Sequence, residues 1–176
     1  MNSSETEEEH GSRNRILILA LVGAVVAAAL FCGLWLTGRS TSPDEIDGAL
    51  AQEAPDARAT AQEVVELLIN LDAENVDEAG ERVLELSTGN FREDYEELLP
   101  GLGPAFEEAE ASATGGILEG PDVTFSASDE ASAVARVAQT TTVDGTERSV
   151  GFTVRLTLVK DDTGWKADAF ELLGDI

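Results

Sequence analysis

The chain has 176 residues and carries 11 Lys and Arg against 35 Asp and Glu, a formal charge of −24. That length fits one ordinary domain plus an anchor or tail, not two full domains, and a hydrophobic share of 43% is too high for a disordered acidic chain. The one cysteine, Cys32, and the one histidine, His10, both precede residue 40. The sequence beyond them therefore excludes disulfides, Cys/His zinc sites, thiol chemistry and every His-based catalytic triad.

In chain order, residues 1–15 read as a disordered tail, because the run Glu5 to Glu9 with His10 is a terminal charge block. Ile16 to Leu36 contains no charged residue over 21 positions. This matches the ~20 apolar residues needed to cross ~30 Å of hydrocarbon. It is longer than the ~7–15 residues of a cleaved signal peptide and lacks a good cleavage site, so residues 16–37 are predicted to be a retained signal anchor. Arg13 and Arg15 flank its start and only Arg39 its end, which places the N-terminus in the cytoplasm and the rest outside the membrane. Residues 40–176 hold 8 basic and 31 acidic side chains, a net of −23. Such a domain is repelled by phosphate backbones, and nucleic acid is excluded as a partner.

Residues 38–56 are predicted to be a linker and helical stalk, with Ser42-Pro43-Asp44-Glu45 as a helix start and a pause near Pro55. From 57 to 173 the pattern is that of one domain. Ala61, Val64, Val65, Leu68 and Ile69 form the stripe of an amphipathic helix. A second helix is expected after Asn75 through Val76, Ala79, Val83 and Leu84, ending at Gly89 in a left-handed conformation. Asn90 and Glu93 are read as the cap of a third, which passes Phe91, Tyr95, Leu98 and Leu99. Pro100, Gly101, Gly103 and Pro104 are expected to interrupt it, with helix resuming from Phe106 to Ala113. Beyond Gly115 the period becomes two: Val123 with Phe125, Ser132 to Thr142, a turn at Asp144-Gly145, and Phe152, Val154, Leu156 and Leu158 alternating with polar residues. A turn at Asp161 to Gly164 leads to a last strand from Trp165 to Leu173. Helices followed by an antiparallel meander predict an α+β fold, about three helices packed on a four-stranded sheet.

This order resembles the NTF2-like, or cystatin-like, cone. With the anchor, the segment Leu86-Ser87-Thr88-Gly89-Asn90-Phe91, the strand Arg155-Leu156-Thr157-Leu158-Val159 and Trp165 after its turn, it resembles the Mce-associated membrane proteins of actinobacteria. The resemblance implies a non-enzymatic accessory or scaffold protein beside an Mce-type lipid or sterol importer of the cell envelope, with transporter subunits or other envelope proteins as partners. The alternative it leaves is a carrier of lipid or another small hydrophobe in the NTF2-like pocket.

No catalytic, cofactor-binding or metal-binding residue is assigned. Asp94, Tyr95 and Asp168 are the only plausible acid/base groups. Asp94 and Tyr95 are neighbours about 100° apart on a helix, and Tyr95 fits the apolar stripe, which leaves Asp94 to solvent. Asp168 is expected to share a strand face with Lys166 and Phe170. The pairs and runs Asp161/Asp162 and Glu107/Glu108/Glu110 lack the spacing of a calcium loop and read as a solvated turn and helix face. Tyr95, Phe106, Phe152 and Trp165 are the candidates for lining a lipid-sized pocket, with ordinary core packing as the other reading.

Overall fold

The computed structural model describes residues 48–175. The N-terminal tail, the anchor, the Ser42 helix start and Cys32 lie outside the described residues, and among those described no helix is long and apolar enough to cross a membrane. Three helices, α1 (Gly48–Ile69), α2 (Val76–Glu85) and α3 (Gly89–Glu108), cover one face of an antiparallel sheet. Its strands are β1 (Leu71–Asp72), β2 (Ser112–Phe125), β3 (Glu130–Val143), β4 (Thr146–Asp161) and β5 (Gly164–Asp175), paired in chain order. The α+β expectation holds. The sheet has five strands rather than four, because the turn after α1 contributes Leu71 and Asp72 as a short pairing on Ala113 and Ser112. Two residues carry no readable period, so the sequence gives no sign of this strand.

The core is built from the two periodicities. On β3 the residues Ala131, Ala133, Ala135 and Val137 are buried, and on β4 Phe152, Val154, Leu156 and Leu158, while their alternates face outward. Small residues on β3 opposite large ones on β4 leave room for the helices: Ala131 pairs with Leu158 and Ala133 with Leu156. Onto this face α1 lays Ala57, Ala61, Val64, Val65 and Ile69, while α2 adds Val76, Ala79 and Val83. Gly80 lets α2 and α3 approach closely, since a Cβ there would stand 2.1 Å from Leu99 Cδ1.

Two proline expectations are corrected. Helix α1 runs through Pro55 without a pause, and α3 runs through Pro100 and Pro104 without a break. Proline removes one backbone donor and crowds the preceding turn, at a cost of roughly 3 kcal/mol in a helix interior. In α3 the buried residues are Phe91, Tyr95, Leu102 and Phe106. Their spacing of four, seven and four keeps one stripe in phase across both prolines, and the burial of that stripe outweighs the local penalty. The helix expected from Phe106 to Ala113 ends at Glu108 instead, and β2 begins at Ser112, before Gly115.

The caps also differ from expectation. Thr88, not Asn90, precedes α3. Asn75 does stand before α2, but its side chain bonds backward: Asn75 Oδ1 accepts from the Asp72 N–H at 2.9 Å. Gly89 has the left-handed φ anticipated for it, 54°, but it does not end α2: that helix stops at Glu85 with Leu86 as its C-cap, and Gly89 opens α3. At the hairpins, Asp144 and Gly145 both take positive φ, as a tight two-residue turn between β3 and β4 requires.

Candidate functional site

The four pocket-lining candidates are all buried members of the one hydrophobic core, in two separate aromatic groups and two further positions. Tyr95 packs beside Phe91, ring centroids 6.0 Å apart, and Phe91 stacks on Phe170 at 6.2 Å, which joins α3 to β5. Trp165 instead meets Phe125 edge-on at 5.6 Å, at the end of the sheet where β2 turns into β3. Phe152 pairs across to Val137 on β3, and Phe106 lies near the C-terminus of α3.

Tyr95 is the most unusual of these residues. Its hydroxyl is buried with no hydrogen-bond partner among the described residues. Burial in apolar surroundings disfavours the phenolate and pushes its pKa up to about 12. Asp94 is exposed, as its helical position requires.

Asp168 does not share a face with both Lys166 and Phe170. Leu158 pairs with Ala167 and Thr157 with Ala169, so Asp168 is the extra residue of a β-bulge. One inserted residue reverses the alternation: Lys166 lies opposite Val159 on the outer face, and Phe170 opposite Leu156 on the inner. The bulge sits where Leu86 to Thr88 crosses the edge of β5. Ala167 N donates to Leu86 O and Thr88 N to Ala167 O, both at 2.8 Å. The Asp168 carboxylate lies over Gly89, where a Cβ would stand 2.0 Å from Oδ1. Sequence reasoning read Leu86 to Phe91 as a helix end and a cap. Its structural task is to cover part of an edge strand.

The acidic candidates are solvated or locally engaged. Asp161 Oδ1 accepts from Thr163 N at 2.7 Å and from Thr163 Oγ1 at 2.6 Å, and these bonds hold its carboxyl below the usual carboxylate range. Glu107, Glu108 and Glu110 are exposed. Among the described residues no three His, Cys, Asp or Glu side chains converge as a metal site.

What the tertiary structure does assemble is a set of fastenings along α1. At its N-terminal end Glu53 Oε2 accepts from Lys160 Nζ at 2.6 Å and from Trp165 Nε1 at 3.4 Å. The Lys160 ammonium is the main reason that the Glu53 pKa is lowered. In the middle, Arg58 Nε donates to Pro121 O at 3.0 Å. At the C-terminal end, buried Gln139 Nε2 donates to Ile69 O at 3.1 Å, and Gly115 N donates to Asn70 Oδ1 at 2.8 Å. The helix is thus tied to β2, β3 and the β4–β5 hairpin from one end of the sheet to the other. None of these polar pairs stands out in the sequence, because their members are 45 to 112 residues apart.

The architecture has clear counterparts among solved structures. An NTF2-like protein with a cystatin-like fold from Novosphingobium aromaticivorans superposes with a TM-score of 0.50 at 20% identity, over 74% of this chain and 90% of that one. The fold is NTF2-like. An IcmL-like type IV secretion system protein from Legionella pneumophila gives 0.57 at 12% identity, over 74% of this chain and 94% of its own. The Agrobacterium tumefaciens VirB8 protein gives 0.55 at 15%, over 79% and 97%. At such identities the likeness establishes the fold alone. Neither a protein-family model nor a curated protein sequence matches the chain.

Proposed function

We propose that this chain is a single-pass membrane protein whose NTF2-like domain serves as a non-enzymatic scaffold, held outside the membrane by its N-terminal anchor. The observation that carries this reading is the fastening of α1. It is the first described helix after the predicted span, and it is pinned to the sheet near both ends and in the middle. A carboxylate bound to Lys160 and Trp165 and an asparagine bound to a backbone amide are structural ties, and they make the helix a rigid joint between anchor and domain. The NTF2-like likeness to an IcmL-like protein of a type IV secretion system supports a place in a multiprotein assembly. The segments Leu86 to Phe91 and Arg155 to Val159, together with Trp165, favour the finer reading of an accessory subunit of an Mce-type lipid or sterol importer.

One observation favours a second reading, a carrier of lipid or a small hydrophobe. The Tyr95 hydroxyl is buried beside Phe91 with no partner among the described residues, and a ligand oxygen would satisfy it. A single experiment separates the two. The full-length chain is purified from its native membranes in mild detergent, and co-purifying proteins and lipids are both identified. Envelope transporter subunits that disappear when residues 57–173 are deleted support the scaffold, and importer subunits among them support the finer reading. A protein-free preparation that holds a defined lipid, and loses it in Tyr95→Phe, overturns the scaffold in favour of the carrier.

A further inference from the structure

The sheet has two edges, and the chain treats them differently. An open edge presents unpaired backbone N–H and C=O groups, a template for another strand that folded proteins usually block. The β2 edge is blocked at three points. β1 pairs with Ser112 and Ala113, Asn70 Oδ1 accepts from Gly115 N, and Arg58 Nε donates to Pro121 O. Pro121 also has no N–H to offer an added strand. The β5 edge, among the described residues, is covered only at Ala167, whose N–H and C=O point away from β4 to Leu86 and Thr88. Beyond the Asp168 bulge the register sets the direction of each group. Ala169 and Glu171 bond toward β4, and Phe170 and Leu172 turn their N–H and C=O outward. Neither Phe170 nor Leu172 has a backbone partner on that side among the described residues. The side chains agree. On the core face of β5, Trp165 and Ala167 are buried while Phe170 and Leu172 stay partly exposed, and Leu173 beside them is 44% exposed.

We infer that residues 169–172 of β5 take on an added strand, an extended segment of a partner protein in which apolar residues alternate with Lys or Arg. Three features specify this occupant. First, Phe170 and Leu172 offer two outward N–H and two outward C=O groups at alternate positions, the arrangement that strand addition uses. Second, an added strand continues the pleat of the sheet. Its side chains beside Phe170 and Leu172 fall on the core face, where those two residues leave apolar surface uncovered, and its side chain beside Glu171 falls on the outer face. The first set is therefore apolar and the second basic. Glu171 already accepts from Arg155 at 3.1 Å on its other side, so a second cation extends that pair along the outer face. Third, the start of α3 packs on this edge through Phe91 on Phe170 and carries Glu93, Asp94, Glu96 and Glu97 against Arg92. A second copy of the chain is disfavoured for the same reason, since residues 48–175 hold 28 acidic and 8 basic side chains and two such bodies repel. The inference deepens the scaffold reading, and rests on it only for the partner being a protein.

The test uses the full-length chain in mild detergent and a capped synthetic peptide of alternating valine and lysine, with one of alternating valine and glutamate as control. The lysine peptide, at up to about 1 mM, is expected to slow amide exchange at Phe170 and Leu172 by about tenfold, and the glutamate peptide is not. Glu171→Arg is expected to weaken binding by about fivefold, the worth of a reversed cross-strand charge pair. Leu172→Pro removes an outward N–H and no bond to β4, and is expected to abolish binding with the melting temperature little changed. Leu172→Ala keeps that N–H and is expected to retain most of it. No binding overturns the inference, and so does binding that leaves the Phe170 and Leu172 amides unprotected, which would assign the peptide to the acidic helices. Equal protection by the glutamate peptide, or equal loss in Leu172→Pro and Leu172→Ala, overturns it as well. Protection without peptide that rises with protein concentration overturns it in favour of a second copy. Co-purification of envelope subunits is read separately, so failure here leaves the scaffold reading to its own test.

Discussion

Single residues show where ordinary rules are set aside. Tyr95 is the only tyrosine in the chain, so tyrosinate absorbance at 295 nm reports it without interference. Its pKa, pushed up to about 12 by burial against an ordinary value of 10.0, fixes the sign of a pH effect. The neutral phenol is favoured by folding, so its contribution is complete below pH 10 and is lost as pH rises toward 12. The folded chain should show almost no tyrosinate at pH 10.5 and the unfolded chain a majority; equal titration curves would refute the burial argument. Tyr95→Phe removes an unsatisfied hydroxyl and should leave stability unchanged or raise it by up to about 1 kcal/mol in urea denaturation. Gly89 is the opposite case. Gly89→Ala must hold φ 54° and displace the Asp168 carboxylate, and should cost about 1–2 kcal/mol. Adding Asp168→Ala should recover only the steric share, leaving the backbone strain.

At the level of elements, the chain repeatedly lets a long apolar stripe override a local breaker. Pro55, Pro100 and Pro104 all sit inside helices. The stripe of α3 was legible in Phe91, Tyr95 and Phe106, yet the Pro-Gly run between them reads more strongly as a break, because propensity is local and burial is not. The Asp168 bulge is a similar case: period-two reading is correct on either side of one inserted residue and wrong across it. The joint on α1 gives the element-scale prediction. Glu53→Gln removes the ion pair with Lys160 and should raise amide hydrogen exchange in residues 52–58 while leaving β3 and β4 protected. Because the Glu53 carboxyl is held below its ordinary value, the tie is complete above that value and is lost as pH falls through the folded one. Lowering pH through that range should therefore loosen the same amides in the parent chain and not in Glu53→Gln.

For the whole molecule, charge is the dominant fact. Residues 48–175 hold 28 acidic and 8 basic side chains, and the five ion pairs among them are all at least partly exposed. Exposed pairs add little, while self-repulsion acts on the entire compact state. Raising monovalent salt from about 10 mM toward 0.5 M shortens the screening length from ~30 Å to a few Å. It should therefore raise the melting temperature; a fall would mean that the ion pairs outweigh the repulsion.

The sequence alone determined the classes of chemistry that are excluded, the α+β order of elements, the helical stripes and the buried face of each central strand. All of these follow from composition or from periods within one element. It also carried the anchor and its orientation as expectations, on residues outside those described. The tertiary structure alone decided the fifth strand, the continuous helices, the bulge at Asp168 and the fastenings of α1. Each of these depends on residues far apart in the chain, or on packing gains that exceed a local preference, and neither leaves a mark in a short window of sequence.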